Sequence, residues 1–258
     1  MDSRLERLRH QITVCRRCDL AETRTNALPG AGNIHARLMI VAQAPGDQED
    51  REERHFIGPS GQVFDRLLDQ AGVARAELFL TNLLKCRLPK NRRPKQQEII
   101  ACLPFLEQEI DIVDADILVP LGFYATRAVL DLNVLPFPQA KAESPEFFGR
   151  VQWNGRKKVF PLPHPAALLY NPAFEEAAQE QYATLKTLTT PCKWYRLCPM
   201  RRFVEQGRLE QAWIELYCTG DWSRCVRFHQ EEQGIAHPDW MLPDGSLDAE
   251  LREISIAG

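Results

Sequence analysis

Three apolar runs punctuate the first half of the chain, at 37–42 (RLMIVA), 77–82 (ELFLTN) and 115–121 (ADILVPL). They are nearly continuous rather than alternating, as expected of strands covered on both faces. Each ends in turn-forming residues and leads into a stretch with helical character: SGQVFDRLLDQAG at 60–72, PKQQEIIACLPFLEQEI at 94–110 and GFYATRAVLDL at 122–132. Repeated strand-then-helix order predicts an α/β fold with a central parallel sheet between two helical layers. Asn154-Gly155, between FFGRVQW and RKKVFPL, adds a hairpin signal. In such sheets the ligand crevice lies at the carboxyl ends of the strands, where Gln43, Asn82, Gly122 and His164 would gather.

The pattern changes at Pro191. Beyond it stand an amphipathic segment, MRRFVEQGRLEQAWIELY, and a turn-rich tail, HPDWMLPDGSLDAELREISIAG, that ends in a brief helical signal. With 258 residues, the chain divides into an α/β domain, 1–190, and a small C-terminal module, 191–258. No run of about 18 apolar residues occurs, and the N-terminus MDSRLERLRHQITVC is charged and helical. A cytoplasmic protein with no membrane partner is therefore expected.

Eight cysteines are hard to explain as disulfides in a compartment that keeps thiols reduced, so ligation leads. They form two sets of four. Cys15, Cys18, Cys86 and Cys102 would tie CRRC to the strand-loop-helix unit that follows 77–82, and four thiolates suit either zinc or a four-iron cluster. Cys192, Cys198, Cys218 and Cys225 lie in a module with few apolar residues, which calls for a staple, so a second iron–sulfur or zinc site is expected there. The net charge of −3 conceals a basic stretch, KCRLPKNRRPK at 85–95, with six Lys or Arg and no acid.

Six segments, CRRCDLAETRTNALPGAGN, LMIVAQAPGDQED, HFIGPSGQVFDRLL, LTNLLKCRLPKNRRP, VPLG and FPLPHPAALLYNP, together resemble the family 4, iron–sulfur uracil-DNA glycosylases, in order and from about residue 10 to 175. The resemblance implies a three-layer α/β/α sandwich and a structural [4Fe-4S] cluster on Cys15, Cys18, Cys86 and Cys102. It implies a DNA repair hydrolase that flips uracil out of single- or double-stranded DNA, cleaves its N-glycosidic bond and leaves an abasic site; a monomer is expected. Phe56 would stack on the base and Asn82 would read its edge, accepting from N3–H and donating to O4. His164 would donate to uracil O2 as charge builds there. Lys85, Arg87, Lys90, Arg92 and Arg93 become phosphate contacts, and Leu168 and Leu169 become either apolar wedges or core residues. Backbone around Ala44 and Gly46 would shape the pocket.

One motif departs from the family. Gly-Glu-(Gly or Ala)-Pro-Gly is usual, whereas this chain has Ala42-Gln43-Ala44-Pro45-Gly46. A neutral amide replaces the acid, so Gln43 is a doubtful catalyst and Asp47, Glu49 or Asp50 would have to supply charge. Two further readings follow from the substitution: a DNA-binding iron–sulfur protein impaired in excision, or a glycosylase for another damaged base.

Overall fold

The computed structural model describes residues 2–137 and 147–256. Its helices are α1 (Ser3–Thr13), α2 (Leu20–Thr23), α3 (Asp47–Glu52), α4 (Pro59–Ala71), α5 (Gln96–Val113), α6 (Gly122–Leu132), α7 (Ala166–Tyr170), α8 (Glu175–Thr189), α9 (Pro199–Glu205), α10 (Gln211–Trp213), α11 (Val226–Gln233) and α12 (Ala249–Ile256). The strands are β1 (Ala31–Gly32), β2 (Leu38–Ala42), β3 (Leu78–Asn82), β4 (Ile117–Pro120), β5 (Gln152–Trp153) and β6 (Lys158–Val159). None of the described helices is long and apolar enough to cross a membrane.

The sheet runs β1-β3-β2-β4-β6-β5. Its four inner strands are parallel, and the outer pairings, β1 with β3 and β5 with β6, are antiparallel. The sheet is thus mixed at its edges, where the Asn154-Gly155 hairpin adds β5. Alternation explains why the inner strands read as unbroken apolar runs. Met39, Val41, Phe79 and Leu118 enter one core with α1, α5 and α6, while Leu38, Ile40, Leu80 and Val119 enter another with α4 and α8. Two buried faces favour apolar residues throughout, and the polar exceptions, Thr81 and Lys158, are buried against the carboxylates of Glu109 and Glu215.

Strand register brings the functional segments together. Ala42 pairs with Asn82, Val41 with Pro120, and Leu121 bridges Leu162. The chain segments that begin at Gln43, Asn82, Gly122 and His164 therefore leave the same end of the sheet, as the apolar pattern implied.

Beyond α8 a separate cluster forms from Met200, Phe203, Ile214, Cys218, Leu242 and Leu251. It is tied to β6, the strand next to the edge: Lys158 Nζ pairs with Glu215 at 2.7 Å and donates to the Thr219 carbonyl at 2.8 Å. Trp222 Nε1 donates to the Thr190 carbonyl at 2.8 Å.

Candidate active site

A cleft of about 670 Å³ opens at the carboxyl ends of the strands and is lined by Gln43, Glu49, Phe56, Asn82 and His164. It contains a fixed set of donors and acceptors. Asn82 ends β3 and is 3% exposed. Its Nδ2 lies 3.3 Å from His55 Nδ1, and His55 Nε2 lies 2.9 Å from the Pro29 carbonyl. A carbonyl only accepts, so Nε2 carries the proton. Burial pushes His55 down to about 4, which keeps it neutral, and Nδ1 must then accept from the Asn82 amide. This relay sets which end of Asn82 carries oxygen. Its Oδ1 and second N–H are left to present an acceptor and a donor side by side.

His164 is fixed by the same logic. Its Nδ1 accepts from the Ala166 backbone N–H at 3.1 Å, so the proton sits on Nε2. Burial, opposed by the Glu49 carboxylate, lowers its pKa to about 4. The ring is therefore a neutral donor. Gly122, at φ +76°, makes room for it: a Cβ there would lie 3.1 Å from His164 Cβ and would have to adopt a backbone conformation that disfavours side chains.

The three acids of DQED separate into three roles. Asp50 is 1% exposed and accepts from the backbone N–H groups of Thr25 and Asn26. Asp47 is exposed and pairs with Arg51 and Arg87. Only Glu49 is both buried and in the cleft. Its Oε1 accepts from Ile57 N–H at 3.0 Å and Gly58 N–H at 2.8 Å, which leaves Oε2 without a hydrogen-bond partner among the described residues. Any side chain at position 46 would strike that oxygen, so Gly46 is what lets the carboxylate lie over the Pro-Gly corner. Gln43 is half-buried in the cleft, and its amide makes no hydrogen bond among the described residues.

Phe56 occupies the left-handed region at φ 51°, a costly conformation for an aromatic residue. Its loop is held in place. Arg75 donates to the Phe56 carbonyl at 3.2 Å and also to that of His55, and the Phe56 ring stacks on Phe64 with centroids 4.4 Å apart. Around the cleft mouth stand Leu88, Asn91, Leu169 and Tyr170. Leu169 is 46% exposed and Tyr170 is 86% exposed.

Two sequence expectations are corrected. Lys85 is 1% exposed and points away from solvent, bonding Glu109 at 2.6 Å, Thr81 Oγ1 at 2.7 Å and the Asn82 carbonyl at 2.6 Å. Charge patterning could not reveal that its partner lies 24 residues downstream. Leu168 is buried in the core against α4, so of the two leucines only Leu169 faces outward. Arg92 is half-buried against Glu98, whereas Lys90 and Arg93 are exposed and form no ion pair among the described residues. His55, Arg75, Glu109 and Tyr170 escaped sequence reasoning. HFIGPSG flagged the neighbourhood of the first, but its partner Pro29 is remote in sequence.

Cys15, Cys18, Cys86 and Cys102 line one cavity. Arg24 donates to Cys86 Sγ at 3.0 Å and the Lys85 backbone N–H to Cys102 Sγ at 3.2 Å. Burial pushes the Cys102 thiol up to about 11. Yet among the described residues no three His, Cys, Asp or Glu side chains are grouped closely enough to hold a single metal ion.

Comparison with known proteins agrees with this geometry. Residues 29–186 match the model of the uracil DNA glycosylase superfamily. The type-4 uracil-DNA glycosylase of Sulfurisphaera tokodaii is 36% identical over 204 residues, 76% of this chain and 90% of that protein. Its counterpart in Saccharolobus solfataricus is 34% identical over 183 residues, 70% of this chain and 85% of that protein. The one in Archaeoglobus fulgidus is 32% identical over 184 residues, 71% and 92% of the respective chains.

Proposed function

The chain belongs to the type-4 uracil-DNA glycosylases, and we propose that it removes uracil from DNA by hydrolysing the N-glycosidic bond, leaving an abasic site. The observation that carries this reading is the pair of tautomer-fixed groups in one cleft. Asn82, locked by His55, offers an acceptor for N3–H and a donor for O4 of uracil; cytosine presents the opposite pattern. His164 offers Nε2–H to O2, the oxygen that gains charge as the bond to C1′ breaks. Phe56 stacks the flipped base, which repays part of the unstacking cost.

Breaking the bond leaves uracil as an anion and C1′ electron-poor; water adds hydroxide to C1′ and its proton goes to solvent or to the departing base. The carboxylate that supports this step is Glu49, through Oε2. Position 43 is not needed for it. The cleft retains an acid despite the Gln43 substitution, which favours excision over a binding-only role.

Cys15, Cys18, Cys86 and Cys102 fit a [4Fe-4S] cluster, which when bound supplies a structural clip. It would join the end of α1 to the loop that carries Lys90 and Arg93. Those exposed cations contact DNA phosphates, with Leu169 and Tyr170 at the cleft mouth beside the duplex. Residues 1–190 act as the glycosylase domain and 191–258 as an appended module with its own small core.

The direct test is incubation of purified protein with single- and double-stranded oligonucleotides containing one uracil, followed by alkaline cleavage. Strand scission at the uracil is expected in the parent and lost in His164→Ala. Tight binding without abasic product would overturn the reading.

A further inference from the structure

The C-terminal module contains a second four-thiol cavity that the excision chemistry does not use. Cys192 follows α8, Cys198 directly precedes α9, Cys218 ends the helical run that continues α10, and Cys225 directly precedes α11. All four line one cavity of about 70 Å³. We propose that Cys192, Cys198, Cys218 and Cys225 ligate a second iron–sulfur cluster, which staples the module together.

The four thiols are not gathered around a single point. Zinc–sulfur bonds of about 2.3 Å would draw four sulfurs to within about 4 Å of each other. No such group exists among the described residues, although the four thiols share one cavity. Four thiols around one cavity rather than one point suit a cluster, in which each binds a different iron.

The surroundings call for negative charge in that space. Arg227 is 3% exposed and lines the cavity. Its Nη1 donates to the carbonyls of Pro238, Asp239 and Met241 at 2.9, 3.2 and 2.8 Å, and no carboxylate pairs with it among the described residues. Its Nε is buried without any hydrogen-bond partner. A buried guanidinium so placed is costly unless an anion faces it. A cluster with four thiolates provides that anion.

Energetics supply the reason for a staple. Among the described residues, the buried cluster of the module comprises six side chains, one of them Cys218 itself. So small a core does not order a segment of this length alone. Ligation of a preassembled cluster releases one proton from each thiol to solvent and moves no electrons, so its free energy goes directly into folding. The stapled module then braces β6 through Lys158, six positions before His164.

The test uses full-length protein purified without oxygen, with iron, acid-labile sulfide and zinc counted per chain. About eight irons and eight sulfides are expected in the parent and about half as many in Cys198→Ser/Cys225→Ser. Conversely, Cys86→Ser/Cys102→Ser should keep about four irons, which separates this site from the first. A Cys198→Ser/Cys225→Ser chain with the parent's full iron content overturns the proposal, as does one zinc per chain that this variant loses. If the serine variants do not fold, the parent decides: about four irons per chain overturns it, and about eight sustains it.

Discussion

His55 Nδ1 accepts a hydrogen bond from Asn82 Nδ2 at 3.3 Å, while the opposite ring nitrogen donates to the Pro29 carbonyl. A buried imidazole thereby decides the orientation of the amide that faces the base. If His55 acts only through Asn82, His55→Phe should lower kcat/KM on uracil by about tenfold, the worth of one well-placed hydrogen bond. The double variant with Asn82→Ala should then be no slower than Asn82→Ala alone. Additive losses in that cycle would show that His55 merely supports the fold.

Both cleft histidines have pKa values lowered to about 4 by burial. Between that value and the ordinary 6.5, the unfolded chain binds protons that the folded chain refuses. Their contribution to stability is complete above pH 6.5 and declines as pH falls toward 4. Urea unfolding across this window should show a steeper decline for the parent than for His55→Gln. Equal slopes would mean that His55 is already protonated in the fold.

Glu49 and Gln43 can be separated by reciprocal amide and acid changes. Glu49→Gln keeps an oxygen for the Ile57 and Gly58 amides yet removes the charge, and single-turnover rates should drop by about 100-fold or more. Gln43→Glu should change the rate far less. The reverse ranking would return the catalytic acid to position 43.

Lys85 and Lys90 lie five residues apart and should behave oppositely. Lys85→Ala leaves Glu109 buried without its cation and should cost about 3–5 kcal/mol in chemical unfolding. Lys90→Ala should leave stability unchanged while reducing the slope of log binding constant against log salt by about one. Arg93→Ala should do the same. A normal unfolding midpoint for Lys85→Ala would contradict its placement.

At the cleft mouth, Leu169→Ala/Tyr170→Ala should impair excision from duplex DNA several-fold more than from single strands. Only the duplex leaves a gap for apolar groups to hold open. Equal losses on both substrates would assign these side chains to the uracil pocket instead.

Local pattern was enough for much of this protein. Unbroken apolar runs announced β2, β3 and β4, because a strand covered on both faces has no polar side to show, and turn-formers marked the end at which Asn82 and His164 emerge. The cysteine spacings divided the thiols into two sets of four, and the fold gathers each set around its own cavity. Tertiary structure decided the rest. Whether Lys85 meets phosphate or Glu109, and whether Leu168 is wedge or core, depends on partners brought near by sheet register and helix packing. The same holds for the acids of DQED. Three carboxylates within four positions look equivalent in sequence, but α3 leaves Asp47 exposed at the cleft rim with Arg51 and Arg87, turns Asp50 to the amides of Thr25 and Asn26, and buries Glu49 inside the cleft. A helix spreads neighbouring residues over different faces, and only the packed fold determines what each face meets.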